Sequence, residues 1–352
     1  MKFSNFLFPE AARPELDHAV VHETLAEAKL CDELGFDVVW LAEHHFDGNC
    51  AYVDPISFAA ALAACTKQVQ IGFAVAQMSL HHPIRMAEQT SLIDNISEGR
   101  LIVGLGRGTA YNIYDYQGYG LDPAEAQDRL IEAEEIMIRA WTEENLEYKG
   151  RFWDVKLPRL RPAPYTKPHP FILRAASGEA SMVELAREGR PFMMNVQSLD
   201  VTRARLDLYK RTMREAGFDA AHVARCMEDV WVWRNVYVAE TDAAAEAVAV
   251  PAFRAQQEQR ARMRNRVAEE QGLRMKHETA PAARTTTEHA LFAGSPATVA
   301  AKLKEIAALG VGGVIIQFRL GPMSWAETEK SIRLFAEAVA PELQAAQRSA
   351  LA

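Results

Sequence analysis

The ten residues DVVWLAEHHF, Asp37 to Phe46, end an apolar run in an acid, two adjacent histidines and an aromatic. Side chains alternate along a strand, so Val38, Trp40, Ala42 and His44 share one face while Val39, Leu41, Glu43 and His45 share the other. The two histidines therefore have different tasks: one looks into whatever lies at the strand's carboxyl end, and the other packs or hydrogen-bonds behind it. His44 is the candidate for proton chemistry, since imidazole titrates near neutrality. A metal centre is not expected. The ten histidines include EHHF and HHP, but neighbours on a strand point oppositely and cannot both ligate one ion easily, and no H-x-H spacing occurs. No G-x-S-x-G elbow marks an acyl-transfer nucleophile.

Further along, RLIVGLGRGT places Gly104, Gly106 and Gly108 on one face and Leu105 and Arg107 on the other. VQIGFAVAQ does the same with Gly72, Ala74 and Ala76. Such bare faces either admit a broad flat ligand or suit tight strand packing. GLGRGT is neither a dinucleotide fingerprint nor a Walker loop. In AASGEAS a strand turns directly into a helix, so the amides around Ser177, Gly178 and Glu179 and the hydroxyls of Ser177 and Ser181 fall at a helix N-terminus. A phosphate could bind there, and ordinary serine capping accounts for the pattern equally well.

The elements that must hold these residues alternate short apolar runs with longer segments of helical period, the pattern of parallel strands with crossover helices. Strands are predicted at Phe3–Phe8, Asp37–Glu43, Val69–Gln77, Leu101–Gly106, Phe171–Ala176, Phe192–Asn195, Val230–Val238 and Gly313–Phe318, with helices between them and over 325–338. Eight strands in this order imply a (β/α)₈ TIM barrel as a single domain over 1–352, with its active site at the strands' carboxyl ends. A doubly wound open sheet is the alternative. Two segments break the repeat. The stretch after the fourth helix carries five prolines and reads as an ordered excursion or a short hairpin. Residues 251–292 are polar and charge-rich, and read as a lid or mobile insertion, or equally as a solvated helix followed by a linker.

Composition bounds the function. With 49% hydrophobic and 24% charged residues the chain suits a globular protein, and a net charge of −8 argues against a nucleic-acid partner. Four scattered cysteines without a C-x-x-C spacing fit a reducing cytoplasm. Neither a signal peptide nor a run of about 18 apolar residues is found, so no membrane association is expected.

The stretches NFLF, GFDVVWLAEHHF, HHPIRMAEQTSLIDNISEGRLIVGLGRG, PFILRAASGEAS and GSPATVAAKLKEIAALGVGGVIIQF, taken in order, resemble the bacterial luciferase-like flavin monooxygenases along nearly the whole chain. The resemblance implies a TIM barrel that uses reduced FMN and oxygen, forms a flavin C4a-hydroperoxide, and oxidises a small hydrophobic organic substrate. It implies that His44 is the active-site histidine, that Ala74 and Val75 stand where the family keeps a non-prolyl cis peptide against the flavin, and that Arg107 and Arg129 are phosphate-contacting arginines. Ser177, Gly178 and Ser181 match the family's phosphate-binding turn. Gly106 stands where luciferase's catalytic subunit has a reactive cysteine, which argues against light emission. Trp40, Phe46, Tyr111, Tyr114 and Trp231 are candidate pocket walls or plain core. A separate flavin reductase is implied, since no second nicotinamide-binding domain is present, and a dimer is expected. Two other readings stand beside this one: a deazaflavin-dependent oxidoreductase of the same superfamily, and a non-catalytic flavin-binding partner subunit, against which the presence of His44 and Arg107 argues.

Overall fold

The computed structural model of the 352-residue chain describes residues 1–8, 10–46, 50–108, 112–272 and 282–344. Each predicted apolar run contains a strand: Lys2–Leu7, Val38–Leu41, Gln70–Phe73, Leu101–Gly106, Phe171–Ala175, Phe192–Met194, Trp231–Val238 and Gly313–Gln317, here called the first to the eighth. They follow one another in chain order round a parallel sheet, the eighth beside the first, and the seventh pairs with both the sixth and the eighth. The sheet therefore closes into a (β/α)₈ barrel, which excludes the doubly wound alternative. Strands buried on both faces need continuous apolar runs, and all four residues of VVWL in the second strand are fully buried.

The chain packs as two compact units, one of Met1–Glu10, Glu33–Asp37 and Ala175–Ala352, the other of Ala11–Asp32 and Val38–Arg174. In the first unit, Lys2 pairs with Gly313 and Trp231 with both Gly313 and Met193. The seventh strand then forks: beyond Asn235 it pairs with a further strand, Leu291–Gly294, which occupies the side vacated by the short sixth. Reading 251–292 as an insertion hid that strand. The alternation of LFAG is too short to register against the polar stretch before it. Residues 251–270 belong to one helix, Asp242–Glu270, as the solvated-helix reading expects; Thr241 caps its N-terminus and it carries Pro251 within it. Gln256 and Arg260 tie this helix to Glu10 at 3.1 and 2.9 Å. The middle of the expected lid, 273–281, lies outside the described residues.

In the second unit, Val38 pairs with Gln70, Ile71 with Leu101 and Ile102 with Phe171. The third strand breaks at a cis peptide bond between Ala74 and Val75 and resumes as Ala76–Gln77 beside the fourth. The proline-rich excursion contains the antiparallel hairpin Leu146–Lys149 and Asp154–Leu157. Helix starts follow local chemistry: Asp54 accepts from Ile56 N–H before Pro55, and each such cap is worth about 1 kcal/mol. Among the described residues no helix is long and apolar enough to cross a membrane.

Candidate active site

The carboxyl end of the second strand is organised by one buried acid. Glu43 Oε1 accepts from His45 Nε2 and from His81 Nε2, each at 2.8 Å, and Oε2 accepts from Gln77 N–H at 2.5 Å. Burial alone would raise the Glu43 pKa, but the positive charge of His81 and the hydrogen bonds from His45, His81 and Gln77 reverse this and hold it at about 2. Burial pulls the other way on His81, and the ionised Glu43 outweighs it, so the His81 pKa is raised. Each shift thus favours the charged form of its own group, carboxylate for Glu43 and imidazolium for His81. Since an ionised carboxylate can only accept, both imidazoles carry a hydrogen on Nε2. On the other side of the ring, His45 Nδ1 faces the Tyr119 hydroxyl at 3.4 Å. Behind this group, Gln77 Nε2 donates to the Glu43 carbonyl at 3.1 Å and to Asp115 Oδ2 at 2.5 Å, where Asn112 also donates at 2.9 Å.

Glu43 and His45 meet on the buried side, as the shared face predicted for EHHF expects, and His44 is half-buried. The chain then turns at Phe46, which has φ of +60°, is 56% exposed and packs its ring over Gly118 and near Tyr119. Arg107 is exposed just past the fourth strand, its carbonyl bonded by the Tyr116 hydroxyl at 2.7 Å. Next to it Gly108 adopts φ of +72°, and a side chain there would meet Gln77 Oε1.

The bare strand faces are filled rather than open where they can be tested. A Cβ on Gly72 would lie 2.3 Å from the Trp40 ring, which is fully buried. One on Gly106 would lie 2.6 Å from Val75 Cγ2. Tight packing, the alternative reading of these glycines, accounts for both. Trp40 and Trp231 are accordingly core residues, the latter against Gly313, while Tyr111 lies outside the described residues.

Arg129 sits on helix Ala126–Thr142, bonded to Glu125 at 3.1 Å with its guanidinium 4.4 Å from the centre of the Phe152 ring. Ser177, Gly178 and Ser181 lie in the other unit at the start of helix Glu179–Arg187. Gly178 is the N-cap and no side chain caps this end; Ser181 Oγ donates instead to the Gly178 carbonyl at 3.2 Å. Ordinary serine capping is therefore absent, and the first-turn amides retain their donors. Nothing approaches a Cβ built on Gly178 more closely than Ser181 Oγ at 3.9 Å.

Sequence reasoning missed Glu43, His81, Gln77 and Asp115. The signal was the pair of motifs EHHF and HHP: the first was read for His44 and for a histidine hydrogen-bonded behind it, but HHP was weighed only as a source of metal ligands. Among the described residues no group of histidine, cysteine and acidic side chains could hold a metal ion.

The family model described as luciferase-like monooxygenase matches residues 1–313. The chain belongs to this luciferase-like family. It is 28% identical over 233 residues to the alkanal monooxygenase alpha chain of the Kryptophanaron alfredi symbiont, covering 64% of this chain and 63% of that one. The matched region spans 42 to 63% of the length of this and similar curated relatives. Among solved structures, monooxygenase RslO1 from Streptomyces bottropensis superposes with a TM-score of 0.81 at 28% identity, covering 97% of this chain and 99% of that one. The oxygenating constituent of 3,6-diketocamphane monooxygenase from Pseudomonas putida, in complex with FMN, shares the fold at 20% identity and a TM-score of 0.77, covering 97% and 98%. Coenzyme F420-dependent enzymes also have this luciferase-like fold.

Proposed function

We propose that the protein is an FMN-dependent monooxygenase that oxidises a small hydrophobic organic substrate, acting as one functional domain over 1–352. The observation that carries the reading is the uncapped N-terminus of helix Glu179–Arg187, where Gly178 leaves open space before unsatisfied amides, a cradle suited to a phosphate group. In this reading Ser177, Gly178 and Ser181 hold the FMN phosphate, with Arg107 and Arg129 supplying positive charge, and Ala74, Val75 and Gly106 bear on the ring. Bound reduced flavin supplies the two electrons with which dioxygen yields one oxygen atom to substrate and one to water.

The chain's own part is positional and protolytic. Ionised Glu43 clamps His45 and His81 behind the second strand and fixes the third strand through Gln77 N–H, so that His44 is presented from a rigid strand end. His44 accepts or donates the proton that moves during oxygen transfer. As expected of the family, the reduced flavin comes from a separate reductase, and the enzyme is a cytoplasmic dimer. Leu92 and Ile96, both exposed and one turn apart on helix Pro83–Ile96, give that dimer an apolar stripe.

The test is to bind reduced FMN anaerobically, admit oxygen and follow the flavin spectrum in the stopped flow. Reoxidation through a protein-bound spectral species absent from free solution supports the reading. Kinetics identical to free FMN, together with binding of a deazaflavin coenzyme, would transfer the proposal to the F420-dependent branch. His44→Ala should lower turnover by about 100-fold or more, on the scale of general acid–base catalysis. Unaltered turnover would point to the non-catalytic partner subunit instead.

A further inference from the structure

Arg234, on the seventh strand, is 1% exposed and takes no part in the Glu43 network. A buried guanidinium ordinarily meets a carboxylate, because taking a cation out of water costs several kcal/mol unless an opposite charge compensates. Arg234 has none among the described residues. Its Nη1 donates to the Trp233 carbonyl at 2.6 Å, its guanidinium stands 5.5 Å from the centre of the Phe292 ring, and its Nε is buried without an acceptor. Burial lowers its pKa to about 10, which leaves it charged at neutral pH.

Arg234 lines a cavity of about 380 Å³, near the lower end of the range in which small ligands bind. Lys302 lines it too, its Nζ 5.6 Å from the centre of the same Phe292 ring. So do Ser198 and Leu199, at the start of the 17-residue helix Leu199–Glu215. The Ser198 side chain caps only Val201 N–H, so the positive end of this helix adds to the two cations. Glu305 and two other acids reach the cavity from exposed positions, and none pairs with Arg234.

We propose that this cavity binds a small oxyanion, a phosphate group or a carboxylate, held by Arg234, Lys302 and the first-turn amides of helix Leu199–Glu215. A guanidinium and an ammonium give charge-assisted N–H donors that suit the oxygens of either group. Phe292 gives the ligand's organic part an apolar wall.

The test is calorimetric titration of the full-length protein with inorganic phosphate and, separately, with acetate. It is run in a Gly178→Asp, Arg107→Ala background, in which a capping carboxylate occupies the helix end proposed for the flavin phosphate, and so separates the two. Saturable binding should persist there, be lost in Arg234→Gln, and weaken about tenfold or more in Lys302→Gln, which removes one charge-assisted hydrogen bond. Lys302 is only partly buried, so its variant decides the matter even where Arg234→Gln fails to fold. Phosphate binding without acetate binding assigns a phosphoryl ligand, and equal binding assigns any small oxyanion; either upholds the site. Absence of saturable binding, or binding that Lys302→Gln leaves unchanged, overturns it.

Discussion

Replacing Glu43 by glutamine tests whether one carboxylate organises the candidate active site. The carboxylate accepts three hydrogen bonds, from His45, His81 and Gln77 N–H. An amide has a single acceptor oxygen, so its NH₂ must face at least one of those donors in a buried position. Each buried donor left unsatisfied costs about 1–3 kcal/mol, and the lost charge opposite His81 adds to this, so a total of about 3–5 kcal/mol is expected. The pH dependence gives an independent figure. Lowering the Glu43 pKa from an ordinary 4.5 to about 2 contributes about 3 kcal/mol, at about 1.4 kcal/mol per pH unit. Because that pKa is depressed, its contribution is complete above 4.5 and is lost as pH falls toward 2. The His81 pKa is raised above 6.5, so its contribution is complete below 6.5 and is lost as pH rises through the raised value. Wild-type stability from this pair is therefore greatest between about 4.5 and 6.5, and Glu43→Gln should flatten the profile on both sides. Urea unfolding across pH, with NMR titration of the His81 ring, measures both effects. A stability change below about 1 kcal/mol, or a His81 pKa unmoved by the substitution, would refute the clamp.

Three further outcomes follow from the same geometry. Gly106→Ala should cost about 1–3 kcal/mol, because its methyl meets Val75 Cγ2, and Val75→Ala added to it should recover most of the loss; additive effects in thermal unfolding would show the contact to be unimportant. Gly178→Asp places a capping carboxylate on extended backbone at φ −118°, so stability should rise by up to about 1 kcal/mol while FMN affinity falls about tenfold or more. Fluorescence titration with FMN checks this, and unchanged affinity would remove the helix N-terminus from the proposed cofactor site. Tyr119→Phe deletes a long hydrogen bond to His45 on a half-exposed ring and should change stability by less than about 1 kcal/mol in the same unfolding assay.

Barrel strands were legible because burial on both faces writes them as short apolar runs. The fourth, Leu101–Gly106, was bounded to the residue, and the others to within a residue or two except where a local event intervened. The third was read through to Gln77, but it breaks at Ala74 and Val75, a place marked only by the family resemblance. Leu291–Gly294 was missed because four residues following a polar stretch carry too little pattern. The glycine faces show a different limit. Alternation said correctly that Gly72 and Gly106 present no side chain, but what fills the space comes from Trp40 and Val75 on neighbouring strands.

The same limit explains the half-read active site. Alternation put Glu43 and His45 together correctly, because that pairing lies within a few residues of one segment. It could not say that Glu43 would meet His81, 38 residues away, since that meeting depends on the register between the second and third strands and on the turn that follows Gln77. EHHF and HHP together did contain the answer in a form that chemistry permits. Among the described residues no group is placed to hold a metal ion, but two imidazoles and one buried carboxylate suffice to hold one another in place. A buried acid flanked by histidines from separate strand ends is better weighed first as a charge clamp, whose consequence is the orientation of the neighbouring His44.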